Sequence, residues 1–309
     1  MTKIISNLPP FAKFFFASML TVVMVVVVAL VGVLIGNMVF SCTVEEFLNA
    51  VRMPEISENI SIIRYYLFLQ TFVLFGVPPI VFLIVYGDTL LVDYKFNRVK
   101  KIPLLLLSLS VVLLAMPFIN FLGEFNGLVI DQLLGEVNGL KESELAAERL
   151  LRPLLTEGSV TGLFINIFVM AAMPALCEEL FFRGLVQQYI LRKTNNTFMA
   201  VLGAGFLFSF IHFQFYGFLP RLVLGMYLGY LLVWSGSLWL PILAHFLNNL
   251  IAIVGNYFIS KQMLPVSFEK VGGEGNSVFV GMVSGIVVLF IVFKLFEKYN
   301  APVNPQKLF

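Results

Sequence analysis

Residues 14–40 read FFFASMLTVVMVVVVALVGVLIGNMVF, a stretch without a single charged side chain. A helix needs about 20 mostly apolar residues to cross the roughly 30 Å hydrocarbon core of a bilayer. This stretch is long enough to cross, and it is also about twice as long as the apolar region of a signal peptide. We therefore expect it to be a retained membrane anchor.

The rest of the chain has the same character. Of its 309 residues, 59% are hydrophobic and only 12% are charged, whereas a soluble protein is about half apolar and a quarter charged. This composition argues against a soluble enzyme and a nucleic-acid-binding protein, and it makes membrane lipid the expected partner. The predicted fold is an all-α, polytopic membrane bundle of about eight transmembrane helices. The expected spans lie near residues 14–40, 62–86, 103–123, 158–191, 198–216, 218–234, 238–259 and 278–296.

The charged residues of the connecting loops predict an orientation, because lysine and arginine collect on the cytoplasmic side. With the N-terminus inside, the basic residues on the inner side are Lys3, Lys13, Lys95, Arg98, Lys100, Lys101, Arg192, Lys193, Lys294, Lys298 and Lys307. The acidic residues on the outer side are Glu45, Glu46, Glu55, Glu58, Asp131, Glu136, Glu142, Glu144, Glu148, Glu157, Glu269 and Glu274. We expect an integral protein of a bacterial cytoplasmic membrane with both termini in the cytoplasm.

The outer loop at residues 125–157 is predicted to contain a short amphipathic helix. Ala146, Leu150 and Leu154 recur at a spacing of four and would form its apolar face. The charged residues expected to face water are Glu144, Glu148 and Arg152. Two interpretations are open, a solvated connecting helix on the membrane surface and a lid over a functional site.

Polar side chains within the apolar spans are candidates for function, because each ionisable group costs at least a few kcal/mol to insert. They fall into three groups, which include both histidines of the chain. The groups are Glu178, Glu179 and Arg183 in PALCEELFFRG, His212 in FSFIHF, and His245, Asn248 and Asn249 in PILAHFLNN.

The spacing within these groups indicates separate roles. Glu179 and Arg183 are four residues apart, with the acid first, which favours a salt bridge along a helix. Glu178 has no such partner and is a candidate general base, although the roles of the two glutamates could be exchanged. His245 and Asn249 share a helix face, so that they could donate to one oxyanion, with Asn248 as the less favoured neighbour.

The depth of these residues in straight helices can also be estimated. Glu178 and His212 both lie about 21 Å from the inner ends of their spans and could meet. Asn249 lies at about 16 Å, and His245 is shallower still. The third group is therefore expected nearer the cytoplasmic side unless its helix is broken or tilted.

Together the three groups resemble the motifs of the CAAX prenyl endopeptidase and bacteriocin-processing family, often labelled CPBP or Abi. The motifs are EExxxR at Glu178, Glu179 and Arg183, FxxxH at Phe208 and His212, and HxxxN at His245 and Asn249. The resemblance covers about residues 158–257 and implies a catalytic core there. It leaves residues 1–157 as N-terminal membrane helices with an acidic outer loop, and residues 258–309 as an outer loop, a last span and a cytoplasmic tail.

The resemblance implies an intramembrane endopeptidase that acts on a membrane-associated or lipidated protein or peptide. It implies that Glu178 and His212 activate the attacking water and that His245 and Asn249 stabilise the oxyanion. The expected supporting residues are Glu179, Arg183 and Phe208.

Two alternatives stay open at this level. Glu178, His212 and His245 could hold a divalent metal such as zinc, or Glu178 could act without one. Buried glutamate and histidine also build proton relays, so a proton-coupled transporter or a non-proteolytic immunity protein is the alternative function.

Overall fold

The computed structural model describes residues 9–54, 60–86, 96, 98–99, 101–134 and 138–299. Within these residues the chain is helical, with no strand. The helices are α1 (Pro10–Phe40), α2 (Val44–Arg52), α3 (Ile60–Tyr86), α4 (Ile102–Leu134), α5 (Asn138–Thr156), α6 (Val160–Thr194), α7 (Thr197–Phe210), α8 (Phe218–Ser235), α9 (Trp239–Ser260) and α10 (Val278–Tyr299). The predicted loop charges that lie outside the described residues are Lys3, Glu55, Glu58, Lys95, Lys100, Glu136 and Lys307.

The polytopic helical bundle predicted from the sequence is confirmed. Seven helices in the described part of the chain are long and apolar enough to cross a membrane. The fifth predicted span, 198–216, contains the shorter helix α7 of 14 residues. Helix α7 ends earlier than the predicted span because the chain turns at Phe213, which has a φ of 53°. The chain then re-enters the bundle as α8.

Polar residues mark where several helices begin. The Thr43 hydroxyl accepts a hydrogen bond from the Glu46 amide of α2, and Glu46 binds the Thr43 amide in return. Ser159 caps α6 in the same manner by accepting from the Gly162 amide at 2.8 Å. These side chains satisfy amide groups that a helix leaves unpaired in its first turn.

The core of the bundle is apolar and lies where α4, α8, α9 and α10 meet. Its fully buried residues include Leu104 of α4, Leu228 of α8, Leu240 of α9 and Leu295 of α10. Helix α1 lies at the edge of the bundle, since only 11% of its most apolar 18-residue stretch is buried. Its exposed valine and leucine side chains are suited to contact with lipid.

Polar contacts connect the helices at both ends of the bundle. At one end, the Lys101 ammonium donates to the Trp234 carbonyl at 3.3 Å and lies over the Tyr299 ring. At the other, the Asn120 amide joins α4 to the loop after α9 through the carbonyls of Glu269 and Val271. Which end faces the cytoplasm stays a prediction.

The predicted amphipathic helix is present as α5, but its faces are rotated from the prediction. Leu154 is fully buried and Leu150 is half-buried, as expected, whereas Ala146 is exposed. Glu144, expected in water, is half-buried. The rotation arises because α5 packs on the bundle through neighbouring positions such as Ala147 and Leu151, which line an internal cavity.

Helices α7 and α8 approach each other at glycine. A Cβ added to Gly225 would lie 3.0 Å from the Gly205 Cα, a backbone atom that only a shift of the helix can move. We expect Gly225→Ala to destabilise the protein by about 1–3 kcal/mol through overpacking. Gly255→Ala in α9 is the matched control, since a Cβ there meets nothing within 4 Å. Thermal unfolding in detergent would compare the two, and equal melting temperatures would contradict the expectation.

Candidate active site

Helix α6 changes its geometry on both sides of the glutamate pair. Residues Ile167–Ala172 and Leu180–Val186 form π-helical turns, and Met173–Glu179 between them is α-helical. Such wide turns are uncommon and are frequent at functional sites. They alter the direction in which the glutamates leave the helix and shorten its rise between Glu178 and its C-terminal end.

A buried chain of charges runs from Arg183 through Glu179 to His245. The Arg183 guanidinium donates to Glu179 Oε1 at 2.7 Å and to the Gly225 carbonyl at 2.9 Å. The same Glu179 oxygen lies 2.9 Å from His245 Nδ1. A carboxylate beside arginine acts as an acceptor, so His245 Nδ1 carries a proton and donates it. Glu179 therefore fixes the orientation of the His245 ring.

The other side of the His245 ring faces Glu178. The distance from His245 Nε2 to Glu178 Oε2 is 3.9 Å, too long for a direct hydrogen bond. Glu178 lines the internal cavity, whereas Glu179 is fully buried with Arg183. Of the two glutamates, the geometry thus places Glu178 where a substrate can reach it, which disfavours an exchange of their roles.

The short distance between Glu178 and His245 corrects the depth estimate. For straight, untilted helices His245 was expected to be shallower than Glu178, but the two side chains lie 3.9 Å apart and therefore at one level. The estimate assumed straight α-helices with ends at one level. The π-helical turn at Leu180–Val186 departs from the first assumption, but its seven residues shorten α6 by only a few Å, so the ends of α6 and α9 also lie at different levels.

His212 lies in the turn after α7 and not within a helix. Its Nδ1 is 2.7 Å from the Phe208 carbonyl, and because a carbonyl oxygen only accepts, this nitrogen carries the proton. Phe208 packs edge-on against the rings of His212 and His245, at centroid distances of 5.3 and 5.7 Å. Phe208 also lies under the Arg183 guanidinium, so it connects all three motifs.

The two asparagines of α9 differ in their contacts. The Asn249 amide nitrogen donates to the Met170 carbonyl at 3.4 Å, and its oxygen accepts from Asn248 at 3.1 Å. Both residues line the cavity. An amide nitrogen carries two protons, so Asn249 retains one for a further acceptor.

These side chains surround a cavity of about 570 Å³, a size that suits a drug-sized ligand or a short stretch of peptide. The polar residues at its wall include Glu178, His212, Gln214, Arg221, His245, Asn248 and Asn249. The opposite wall is largely apolar and comes from α3 and α5, with Leu67, Leu74, Leu150 and Leu155. Helix α5 thus lines one side of the cavity, which favours the lid interpretation over the solvated connecting helix.

Sequence reasoning missed two arginines inside the spans. Arg221 of α8 lines the cavity. Arg64 of α3 donates to Asn166 at 2.9 Å and pairs with Glu157, which ties α3 to the start of α6. The rule that ionisable groups in a span are expensive applies to both residues and would have found them.

The metal alternative is not supported by the donor set. In the described part of the chain, no three histidine, cysteine, aspartate or glutamate residues lie close enough to hold a metal ion. Glu178, His212 and His245, which the sequence allowed as possible metal ligands, are therefore not grouped closely enough in this structure to share one ion. Cys177, next to Glu178, is free and packs against Phe75 and Phe208 as an apolar residue.

Comparison with known families agrees with the motifs. Residues 160–251 match the family model described as type II CAAX prenyl endopeptidase Rce1-like. The matched range contains all three motifs and confirms the resemblance to CAAX-type membrane proteases. No curated protein and no solved structure matches the chain. The match and the seven apolar helices together identify an integral membrane protein with a core similar to that of these proteases.

Proposed function

We propose that the protein is an intramembrane endopeptidase that hydrolyses a peptide bond in a membrane-associated or lipidated substrate. The observation that carries the proposal is the approach of Glu178 and His245 to 3.9 Å at the wall of one cavity, from helices far apart in the chain. The family match at residues 160–251 supports the same class of reaction. We further propose that it lies in a bacterial cytoplasmic membrane with both termini inside.

In the proposed reaction, Glu178 is the general base. Its carboxylate takes a proton from water while the water oxygen attacks the peptide carbonyl carbon. His212 orients this water through Nε2, which is left as an acceptor because Nδ1 donates to the Phe208 carbonyl. The proton held by Glu178 then passes to the nitrogen of the leaving peptide as the carbon–nitrogen bond breaks.

His245 and Asn249 stabilise the negative charge that develops on the carbonyl oxygen. In this role His245 donates from Nε2 to the oxyanion, and Nδ1 stays hydrogen-bonded to Glu179. Asn249 donates the amide proton that the Met170 carbonyl does not use. Donors fixed in advance by their own hydrogen bonds are effective in such a site because they need no reorganisation.

The direct test is cleavage by the purified protein in proteoliposomes. The substrate is a dye-labelled, farnesylated peptide that ends in Cys-Ala-Ala-Met, and mass spectrometry identifies the fragments. We expect a new fragment whose formation depends on the protein. The absence of cleavage with this probe and with a panel of unlipidated, membrane-inserted peptides would contradict the proposal.

The oxyanion role makes its own prediction. We expect Asn249→Ala to lower kcat by a factor of about 10²–10³, as removal of one oxyanion donor does elsewhere, with little change in KM. Asn256→Ala is the matched control, because Asn256 lines the same cavity but donates to the Ala252 carbonyl of its own helix. Equal losses in the two variants would assign the effect to packing and not to the oxyanion.

A further inference from the structure

Arg221 is a second charged residue of the cavity that the proposed reaction does not use. It lies near the start of α8, where the partial positive charge of the helix terminus disfavours a cation. Its side chain is only 24% exposed. Neither helix stability nor solvation explains an arginine here, so its charge calls for a different explanation.

The contacts of Arg221 leave its charge poorly matched. The guanidinium donates to the Gln214 carbonyl at 2.7 Å and to the Gln214 side-chain oxygen, both of which are neutral acceptors. Its ion-pair contact with Glu144 of α5 is 3.8 Å long, beyond hydrogen-bonding distance. A guanidinium forms its strongest contacts as paired, short hydrogen bonds to a carboxylate, and this geometry is absent from its described contacts.

Glu144 is an equally poor partner from its own side. Its Oε2 is buried and has no hydrogen-bond partner among the described residues. Burial raises the pKa of Glu144, and the nearby Arg221 charge and a hydrogen bond from the Tyr216 backbone amide oppose that rise only in part. A ligand carboxylate able to approach Arg221 more closely than 3.8 Å would therefore compete with Glu144 for the guanidinium.

We propose that Arg221 is a specificity residue that binds a carboxylate of the substrate peptide in place of Glu144. This inference rests on the proposed function, because it takes the occupant of the cavity to be a peptide. A cavity of about 570 Å³ holds only a short stretch of chain, so a carboxylate at Arg221 lies within a few residues of the bond facing Glu178. The carboxylate comes either from the C-terminus of the substrate or from an aspartate or glutamate side chain.

Binding to the Glu178→Gln variant tests this without any need for cleavage. The probes are four dye-labelled, farnesylated peptides. Two end in Cys-Ala-Ala-Met, one as the free acid and one as the amide, and they test the terminal carboxylate. The other two are amides that end in Cys-Asp-Ala-Met and Cys-Asn-Ala-Met, and they test a side-chain carboxylate. Fluorescence anisotropy in a nonionic detergent measures each Kd, so that no lipid phosphate competes for Arg221. We expect the free acid to bind about 10–100-fold more tightly than its amide, as loss of a charge-assisted hydrogen bond predicts.

Variants assign that preference to Arg221. Adding Arg221→Gln should abolish the acid preference, Arg221→Lys should retain part of it, and Glu144→Gln should increase it by removing the competing carboxylate. Arg152→Gln, an exposed position on α5, is the matched control and should change nothing. If Arg221→Gln does not fold, the acid preference and its increase in Glu144→Gln decide the question.

The outcomes separate this inference from the proposed function. A preference for the aspartate peptide over the asparagine peptide that needs Arg221 supports the proposal with a side chain as the source. Three outcomes would overturn it. The first is equal binding within both pairs, acid against amide and aspartate peptide against asparagine peptide. The others are a preference that survives in Arg221→Gln and no binding of any peptide. Selective binding by a protein that cleaves nothing would leave carboxylate recognition supported and contradict the endopeptidase.

Discussion

Replacement of Glu178 with glutamine is expected to lower the turnover of a cleaved peptide by a factor of about 10²–10⁴, the usual contribution of a general base. Glutamine keeps the size and polarity of the side chain but cannot accept the proton from water. The measurement is kcat for fragment release by the reconstituted protein, followed by mass spectrometry. Because Glu178 lies at the cavity wall and holds no described salt bridge with arginine or lysine, the variant should fold.

Two controls define this result. Glu148→Gln, at an exposed position of α5, should cleave as the wild type does. Thermal unfolding of Glu178→Gln should stay close to that of the wild type, which separates lost chemistry from lost structure. Turnover within a factor of two of the wild type would remove Glu178 from the reaction and with it the proposed mechanism.

The membrane fold was predictable because its signal is local. A long apolar run specifies a spanning helix, because in the bilayer no water is present to hydrogen-bond the backbone and the helix pairs its own backbone groups. The length of α7 was not predictable in this manner. Its end depends on the left-handed backbone at Phe213 and on the Ser209 hydroxyl, which donates to the Phe218 carbonyl across the turn at 2.6 Å. These contacts exist only after α7 and α8 have packed.

The sequence predicted which residues belong to the candidate site better than it predicted the contacts between them. The motif spacing correctly paired Glu179 with Arg183, since both lie on one helix. The contacts of His245 with Glu178 and Glu179 cross between helices, and the apolar pattern does not reveal how two helices pack. The rotated face of α5 has the same origin, because the fit of Leu151 and Leu154 to the bundle decides which side is buried.

The buried position of Arg183 also implies a role in stability that differs from that of Glu178. Arg183 has no exposed surface, and it holds Glu179 and the Gly225 carbonyl at once. Glu179 in turn holds His245. The ion pair therefore fixes the relative positions of α6, α8 and α9, and its loss should affect the whole bundle.

We expect Arg183→Met to destabilise the protein by about 3–5 kcal/mol, because it leaves the Glu179 carboxylate in the interior without its arginine partner. The variant should yield little folded protein, measured by size-exclusion chromatography and thermal unfolding in detergent. Lys294→Met is the matched control, since the Lys294–Glu297 pair is about half exposed and such pairs contribute at most about 1 kcal/mol.

A double variant separates the two explanations for such a loss. If the unpaired Glu179 charge causes it, adding Glu179→Gln to Arg183→Met should restore a large part of the stability, because glutamine can still accept from His245 without a charge. If the lost packing of the arginine side chain causes it, the second change should restore nothing. Stability of the single variant equal to that of Lys294→Met would contradict the structural role of the ion pair, because a fully buried carboxylate cannot lose its only arginine partner at no cost.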